Sequence, residues 1–388
     1  MTNARAEIAT FSLLGGPLHR LGCRLGLVRD GTHTIRIGLA LGGALWAVLV
    51  ALALIEGNGG RVFSLAVVAG HVRLLAVIPL FFLCESWLDP QAGKFVAMIA
   101  RSEVVPATAL PALRAAIACT RRWKDSWLPE AVCLLTVTLW SMYGSFMPMA
   151  GVTAAYDPSR FTSGVTMAAR WYWVVCLPLF RFLILRWIVR IGLWAYFLWR
   201  VARLKLHLVP THPDAVGGLG FLEVVHTQFL PLALAISAVQ AGSFAEDLSS
   251  GTMSFEAIYP ALALILIADV VLFLGPLLVF TPPLVVCRID GLRDYMELAA
   301  RYVNGFDRKW VRAEAPPEES LLGTSDLQSL ADLSNSVNVV RGMRWIPVSS
   351  RLLTEFAIAA LLPLLPLLLL RYPVVELVEM LFARLAGL

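Results

Sequence analysis

The sequence predicts an all-α membrane protein: a polytopic helix bundle of about seven spans, N-in and C-out, with amphipathic helices on the cytoplasmic side. Three observations predict it. Of 388 residues, 58% are hydrophobic and only 15% charged, where a soluble domain carries about 25% charged residues. Apolar runs recur from Ile37 to Leu370, each long enough as a helix to cross about 30 Å of hydrocarbon. Basic residues, 32 against 27 acidic ones, gather beside alternate runs. In a soluble chain a net charge of +5 would suggest nucleic acid. Here it marks topology, and the expected partner is the lipid bilayer, with no nucleic acid.

Seven runs are predicted as spans: 37–55, 62–84, 129–150, 171–199, 221–245, 257–286 and 352–370. The first contains Gly38 and Gly42, a spacing that lets two helices approach closely. Prolines punctuate the others at Pro79, Pro148, Pro178, Pro231, Pro276, Pro282, Pro283, Pro363 and Pro366. The fourth is flanked by Trp171 and Trp173 at one end and Trp194 and Trp199 at the other, as interfacial belts are. The fifth is the weakest. His226, Gln228, Ser237 and Gln240 dilute it, which suggests a pore-facing or partly re-entrant element.

Orientation follows from the basic residues, 23 on one side and 5 on the other, with four of the 32 inside spans. Positive-inside bias places the N-terminus in the cytoplasm of a bacterial-type inner (plasma) membrane. Residues 1–36 read as an uncleaved cytoplasmic segment, 37–286 as a six-span bundle, 287–351 as a cytoplasmic helical region, and 352–388 as a last span with an amphipathic tail. No outside disulfide is expected, because Cys23, Cys119 and Cys287 fall on the reducing side and the other three lie in or near spans.

The interfacial loop 85–128 should hold one or two surface helices, with Leu110, Leu113 and Ile117 on the apolar face. In the cytoplasmic region Leu292, Tyr295, Met296, Ala299, Tyr302, Val303 and Phe306 recur at helical steps. After the breaker Pro316–Pro317, Ser325 and Gln328 match a capping box. That predicts a second helix ending near Gly342.

Charges inside spans are the strongest functional signal, since each costs at least about 2.5–3.5 kcal/mol near midplane. Counted from the outer boundary, Arg73, Arg181 and Asp269 lie about 15–18 Å deep. They predict a polar centre joining the second, fourth and sixth spans, with Asp269 bridging one or both arginines. Arg186 and Arg190 share a helical face and add positive charge, so a wet path there would favour anions. Steps of five and four residues do not make a voltage sensor. The competing reading is a structural ion pair with snorkelling arginines. His71 reads as a satisfied packing histidine, and a haem held between His71 and His226 is disfavoured by their different depths.

The segment Thr211–Leu222 is the other candidate. Gly217, Gly218 and Gly220 allow close backbone approach, while His212 and Asp214 could form a proton-sensitive or ligand-binding pair. A turn capped by Asp214 explains the same residues. The string is not a nucleotide loop, and His207, His212 and Glu223 match no zinc signature. The sequence also lacks H-E-x-x-H, C-x-x-C and G-x-S-x-G, so no catalytic set, metal or cofactor is predicted. The leading expectation is a channel or transporter for a small ion or solute, assembled as a homo-oligomer. The alternative is a scaffold or sensor whose cytoplasmic helices bind a partner.

Overall fold

Each of the seven apolar runs forms helix. A computed structural model describes residues 11–16, 34–146, 166–312 and 325–370, and no strand occurs among them. In order, α1 is Thr34–Ile55, α2 Leu65–Arg101, α3 Leu110–Asp125, α4 Leu128–Phe146, and α5 spans 167–202. Then follow α6 (Phe221–Ser249), α7 (Phe255–Val311), α8 (Ser325–Gly342) and α9, which is Ser350–Leu361 continued by a 3₁₀ segment, Leu362–Leu370. Among the described residues five helices, α1, α2, α6, α7 and α9, are long and apolar enough to cross a membrane. The predicted tail Val374–Leu388, the breaker Pro316–Pro317, Pro148 and most of the first 36 residues lie outside the described residues.

Two predicted boundaries move outward. The second run does not stop at Cys84 but continues to Arg101, because Glu85 and Asp89 find partners inside the bundle. The sixth run and the amphipathic helix after it are one helix of 57 residues. At 1.5 Å per residue its contour is about 85 Å, nearly three times the hydrocarbon thickness, so it projects well past one face. α8 folds back on it. Tyr302 Oη donates to the Asp326 carbonyl at 3.0 Å, and Lys309 Nζ and Trp310 Nε1 donate to Asp326 Oδ2 at 2.7 and 3.1 Å.

The fifth run is the least apolar of the five membrane-length helices, as predicted, and among the most buried. Half of its apolar window is buried, against 28% for α1, α7 and α9. Its polar and small residues face other helices instead of lipid, which is why hydropathy under-reads it. α6 packs against α2 on one side and α9 on the other. A Cβ on Gly242 would stand 2.9 Å from Ala69 Cα, the close approach that small residues permit. α3 lies along α5, burying Leu113, Ala116 and Thr120.

Proline shapes three helices in one way. It lacks an N–H and its ring presses on the carbonyl four residues back. α2, α5 and α7 each widen into a π-turn just ahead of one: Val72–Val77 before Pro79, Tyr172–Cys176 before Pro178, and Val270–Leu274 before Pro276. Such turns often mark functional positions.

The predicted small-residue contact of the first span is present. A Cβ on Gly42 would meet Leu74 O at 2.1 Å, whereas one on Gly43 meets nothing within 4 Å. Gly42→Ala must therefore push α1 from α2, and should cost about 1–3 kcal/mol in thermal unfolding in detergent, with Gly43→Ala near neutral. Equal midpoints for the two variants would contradict this packing.

Candidate functional site

Two levels of charge thread the bundle. At the first, Arg190 of α5 meets Glu85 of α2 side by side: Nη1 donates to Oε2 at 2.8 Å and Nη2 to Oε1 at 3.1 Å. Both side chains are under a tenth exposed. The Trp187 ring covers the guanidinium, 5.2 Å from its centroid. A bidentate pair of this kind satisfies both charges without water. Arg190, predicted beside a wet path, is buried and paired with Glu85 in the structure. Arg186 stands nearby among Glu85, Glu130 and Cys133.

One turn beyond Glu85, Asp89 Oδ1 accepts from Ser12 Oγ, Leu13 N and Leu14 N at 2.9, 2.6 and 3.0 Å. Lys124 Nζ donates to Ser12 O at 3.2 Å, and the Phe11 ring stacks on Phe197 at 4.6 Å. The N-terminal segment is tied into the same end of the bundle as the buried pair.

The second level gathers around Arg73, inside the π-turn of α2. Nη1 donates to Tyr172 Oη at 2.6 Å and Nη2 to Ser243 Oγ at 3.2 Å. Tyr172 opens the π-turn of α5, and Ser243 sits on α6, so one guanidinium joins three helices. Arg181 lies over Trp140, 4.7 Å from the ring centroid, with Tyr172 and Arg73 as its electrostatic neighbours. Glu246, a turn past Ser243, accepts from Ala69 N at 2.8 Å. Among the described residues neither Arg73 nor Arg181 has a carboxylate within 4.0 Å. Both are half-exposed.

Asp269 is not part of this level, contrary to the prediction that it bridges the arginines. It is buried at 2% exposure, and Oδ2 has no hydrogen-bond partner. The reason is geometric. Counted from the neighbouring helix ends, Arg73, Tyr172 and Ser243 lie about 8–12 Å in, whereas Asp269 and Arg181 both lie about 21 Å in, so depth separates Asp269 from Arg73 and its partners, and the neighbouring helix separates it from Arg181. α6 stands beside α2, while the Ile258–Asp269 stretch packs mainly on α9. The polar centre joins α2, α5 and α6, not the sixth run.

His71 is satisfied as expected: Trp46 Nε1 donates to Nδ1 at 2.8 Å and Nε2 donates to Val62 O at 2.5 Å. His226 repeats the device, with Trp194 Nε1 at 3.2 Å and Phe273 O at 2.7 Å. A neutral imidazole with one nitrogen donating and one accepting fits both sites.

The Thr211–Leu222 segment forms a single turn around one carboxylate. Asp214 accepts from Val216 N at 2.9 Å, Gly218 N at 3.0 Å and Gly220 N at 2.7 Å, and His212 Nδ1 lies 2.8 Å from Oδ1. Gly217 and Gly218 adopt φ of +66° and +100°, where a side chain would be strained. Arg344 clamps the turn to the chain after α8: it donates to Glu223, to Asp214 O at 3.2 Å and, through its backbone N–H, to Ala215 O at 2.8 Å. His212, Asp214, Gly217, Gly218 and Gly220 are thereby brought together, apart from both arginine levels. Burial favours the neutral form of Asp214, but the three N–H donors and His212 outweigh it and hold its carboxyl below the usual carboxylate range.

Glu85, Asp89, Tyr172, Ser243 and Glu246 complete the two levels, and sequence reasoning did not select them. The available signal was a charge or hydroxyl recurring one turn apart near a span end: Glu85 with Asp89, and Ser243 with Glu246.

Removing one member of the buried pair strands its partner, so Glu85→Met and Arg190→Met should each cost about 3–5 kcal/mol while the double variant recovers most of that loss. Detergent unfolding of the three proteins checks it, and additive losses would contradict a coupled pair. For Asp214, a carboxyl lowered on folding stabilises the turn above the unfolded value near 3.9 and loses that effect as pH falls through the folded one. The protection of Gly218 and Gly220 against hydrogen exchange, taken relative to the intrinsic rate at each pH, should thus fall below about pH 4 in the parent and stay low throughout in Asp214→Asn. Identical pH profiles would contradict the cap. Compared with family models, curated proteins and solved structures, the chain matches none.

Proposed function

We propose that the chain is a seven-span, N-in/C-out protein of a bacterial-type inner membrane that conducts or transports a small anion through a site at Arg73 and Arg181. The carrying observation is that two half-buried guanidiniums on α2 and α5, electrostatic neighbours of each other, have hydroxyl and ring partners but no carboxylate within 4.0 Å among the described residues. Uncompensated positive charge inside a bilayer is costly unless it meets water or an anion. A cavity of about 220 Å³ between α2, α5, α6 and α7 is lined almost wholly by apolar side chains, with Gln240 among them and neither arginine in its lining, so it takes no part in this reading. At the opposite end an open cleft of about 710 Å³ is lined by Lys94 and Arg101 together with Asp89, a lining with one net positive charge. Arg190 and Asp269 take no direct part in this reading.

A second reading, a scaffold that binds a partner through α7 and α8, is favoured by Leu298 and Leu327, each 45% exposed on that hairpin. Purified protein in planar bilayers under a potassium chloride gradient separates the two. Conduction predicts a reversal potential on the chloride side, moved toward potassium by Arg73→Gln and by Arg181→Gln, with at least a threefold fall in the permeability ratio. No current above that of empty bilayers, or a ratio that both variants leave unchanged, would overturn it.

A further inference from the structure

Beyond Pro283, α7 carries two apolar stripes, and only one is covered. Leu292, Tyr295, Ala299, Tyr302 and Phe306 are half-buried on the side that packs α8. Met296 and Val303, which the sequence groups with them, are 45% and 48% exposed, as are Val286 at 59% and Ile289 at 60%. With Arg293 and Ala300, both exposed, these residues fall at successive steps of three and four. They form a second stripe about 110° around the helix from the first.

Alternating steps of three and four are the spacing of a coiled-coil seam. Lipid does not cover this one. About twenty residues from Phe255 exhaust the hydrocarbon thickness near residue 275–280, and Arg293 stands within the stripe with Asp290 and Glu297 toward one edge. We propose that the Val286–Val303 seam of α7 packs against the same seam of a second copy of this chain, parallel and in register.

Three features select that occupant. The membrane gives every copy one orientation and one depth, so equal residues meet at equal levels and the surface needs to complement only itself. Charge agrees with this: Arg293 lies within the seam and Asp290 and Glu297 along one edge, so each copy offers its neighbour both a guanidinium and the carboxylates to receive it. Arg293 Nη2 already lies 3.3 Å from Asp290 within one chain. Length agrees too. The seam spans about two and a half heptads, fewer than the three to four that define a sustained coiled coil, but anchoring in a shared bilayer raises the effective concentration of the second seam. The inference rests on α7 alone and stands whether or not the bundle conducts.

The test uses the full chain in lipid nanodiscs. Ile289→Cys, Met296→Cys and Val303→Cys are treated with a short bismaleimide beside Asp294→Cys and Arg301→Cys, which lie on another face, and the parent supplies the background from native cysteines. Covalent dimer from the seam positions should exceed parent and controls at least fivefold. Equal yield at the control positions, no yield above parent at any seam position, or a product containing a different protein would overturn the proposal. Because the seam is exposed in one copy, Met296→Glu with Val303→Glu should keep the helical circular dichroism while single-molecule mass falls to one chain. A doubly substituted protein that stays oligomeric would equally overturn it.

Discussion

A guanidinium that leaves water must be met by something, and the cost of failing to do so orders this bundle. Arg190 is met by a carboxylate on both nitrogens, deep between α2 and α5. That contact extends α2 past the point where its apolar run ends, because Glu85 is now an interior residue. Asp89, one turn on, gathers the N-terminal segment, and Lys124 of α3 closes over it. The polar residues that break the hydropathy pattern are the ones that fix how the helices meet.

Arg73 is met differently. A tyrosine and a serine hydroxyl orient its guanidinium, Glu246 is its nearby carboxylate without a direct ion pair, and Arg181 is an electrostatic neighbour. The two levels therefore differ in kind: a bidentate buried pair that ties two helices, and two guanidiniums with no carboxylate within 4.0 Å among the described residues. The π-turns place this second level. Each is the helix's accommodation of a proline, and they bring Arg73 and Tyr172 to corresponding positions in α2 and α5. Asp269 precedes the third π-turn, yet α7 holds it deeper and against another neighbour.

Much of the architecture was legible because membrane helices are written in local composition. The cores of the runs, the close approach at Gly42, the satisfied His71 and the end of α8 at Gly342 follow from spacing and residue type. Pairings across the bundle do not. Glu85 and Arg190 are 105 residues apart, and a count of depth along each helix says nothing of which faces meet. The same counting put Asp269 level with the arginines, and although it is level with Arg181, α7 turns it toward another neighbour. α6 scores low for a related reason: hydropathy scores exposure to lipid, and half of this helix's apolar window is buried against protein. The Asp214 turn was legible as chemistry, but its clamp, Arg344, lies more than a hundred residues away in sequence.

The account turns on whether the Arg73 level meets water. Cysteine accessibility at its third member decides this most directly: Ser243→Cys in sealed proteoliposomes, exposed to a membrane-impermeant, negatively charged thiosulfonate. The account predicts modification well above the parent background, slowed by chloride and faster than with a cationic reagent of the same size. Labelling only by a membrane-permeant maleimide, with both charged reagents excluded, would show a dry cluster and contradict the account.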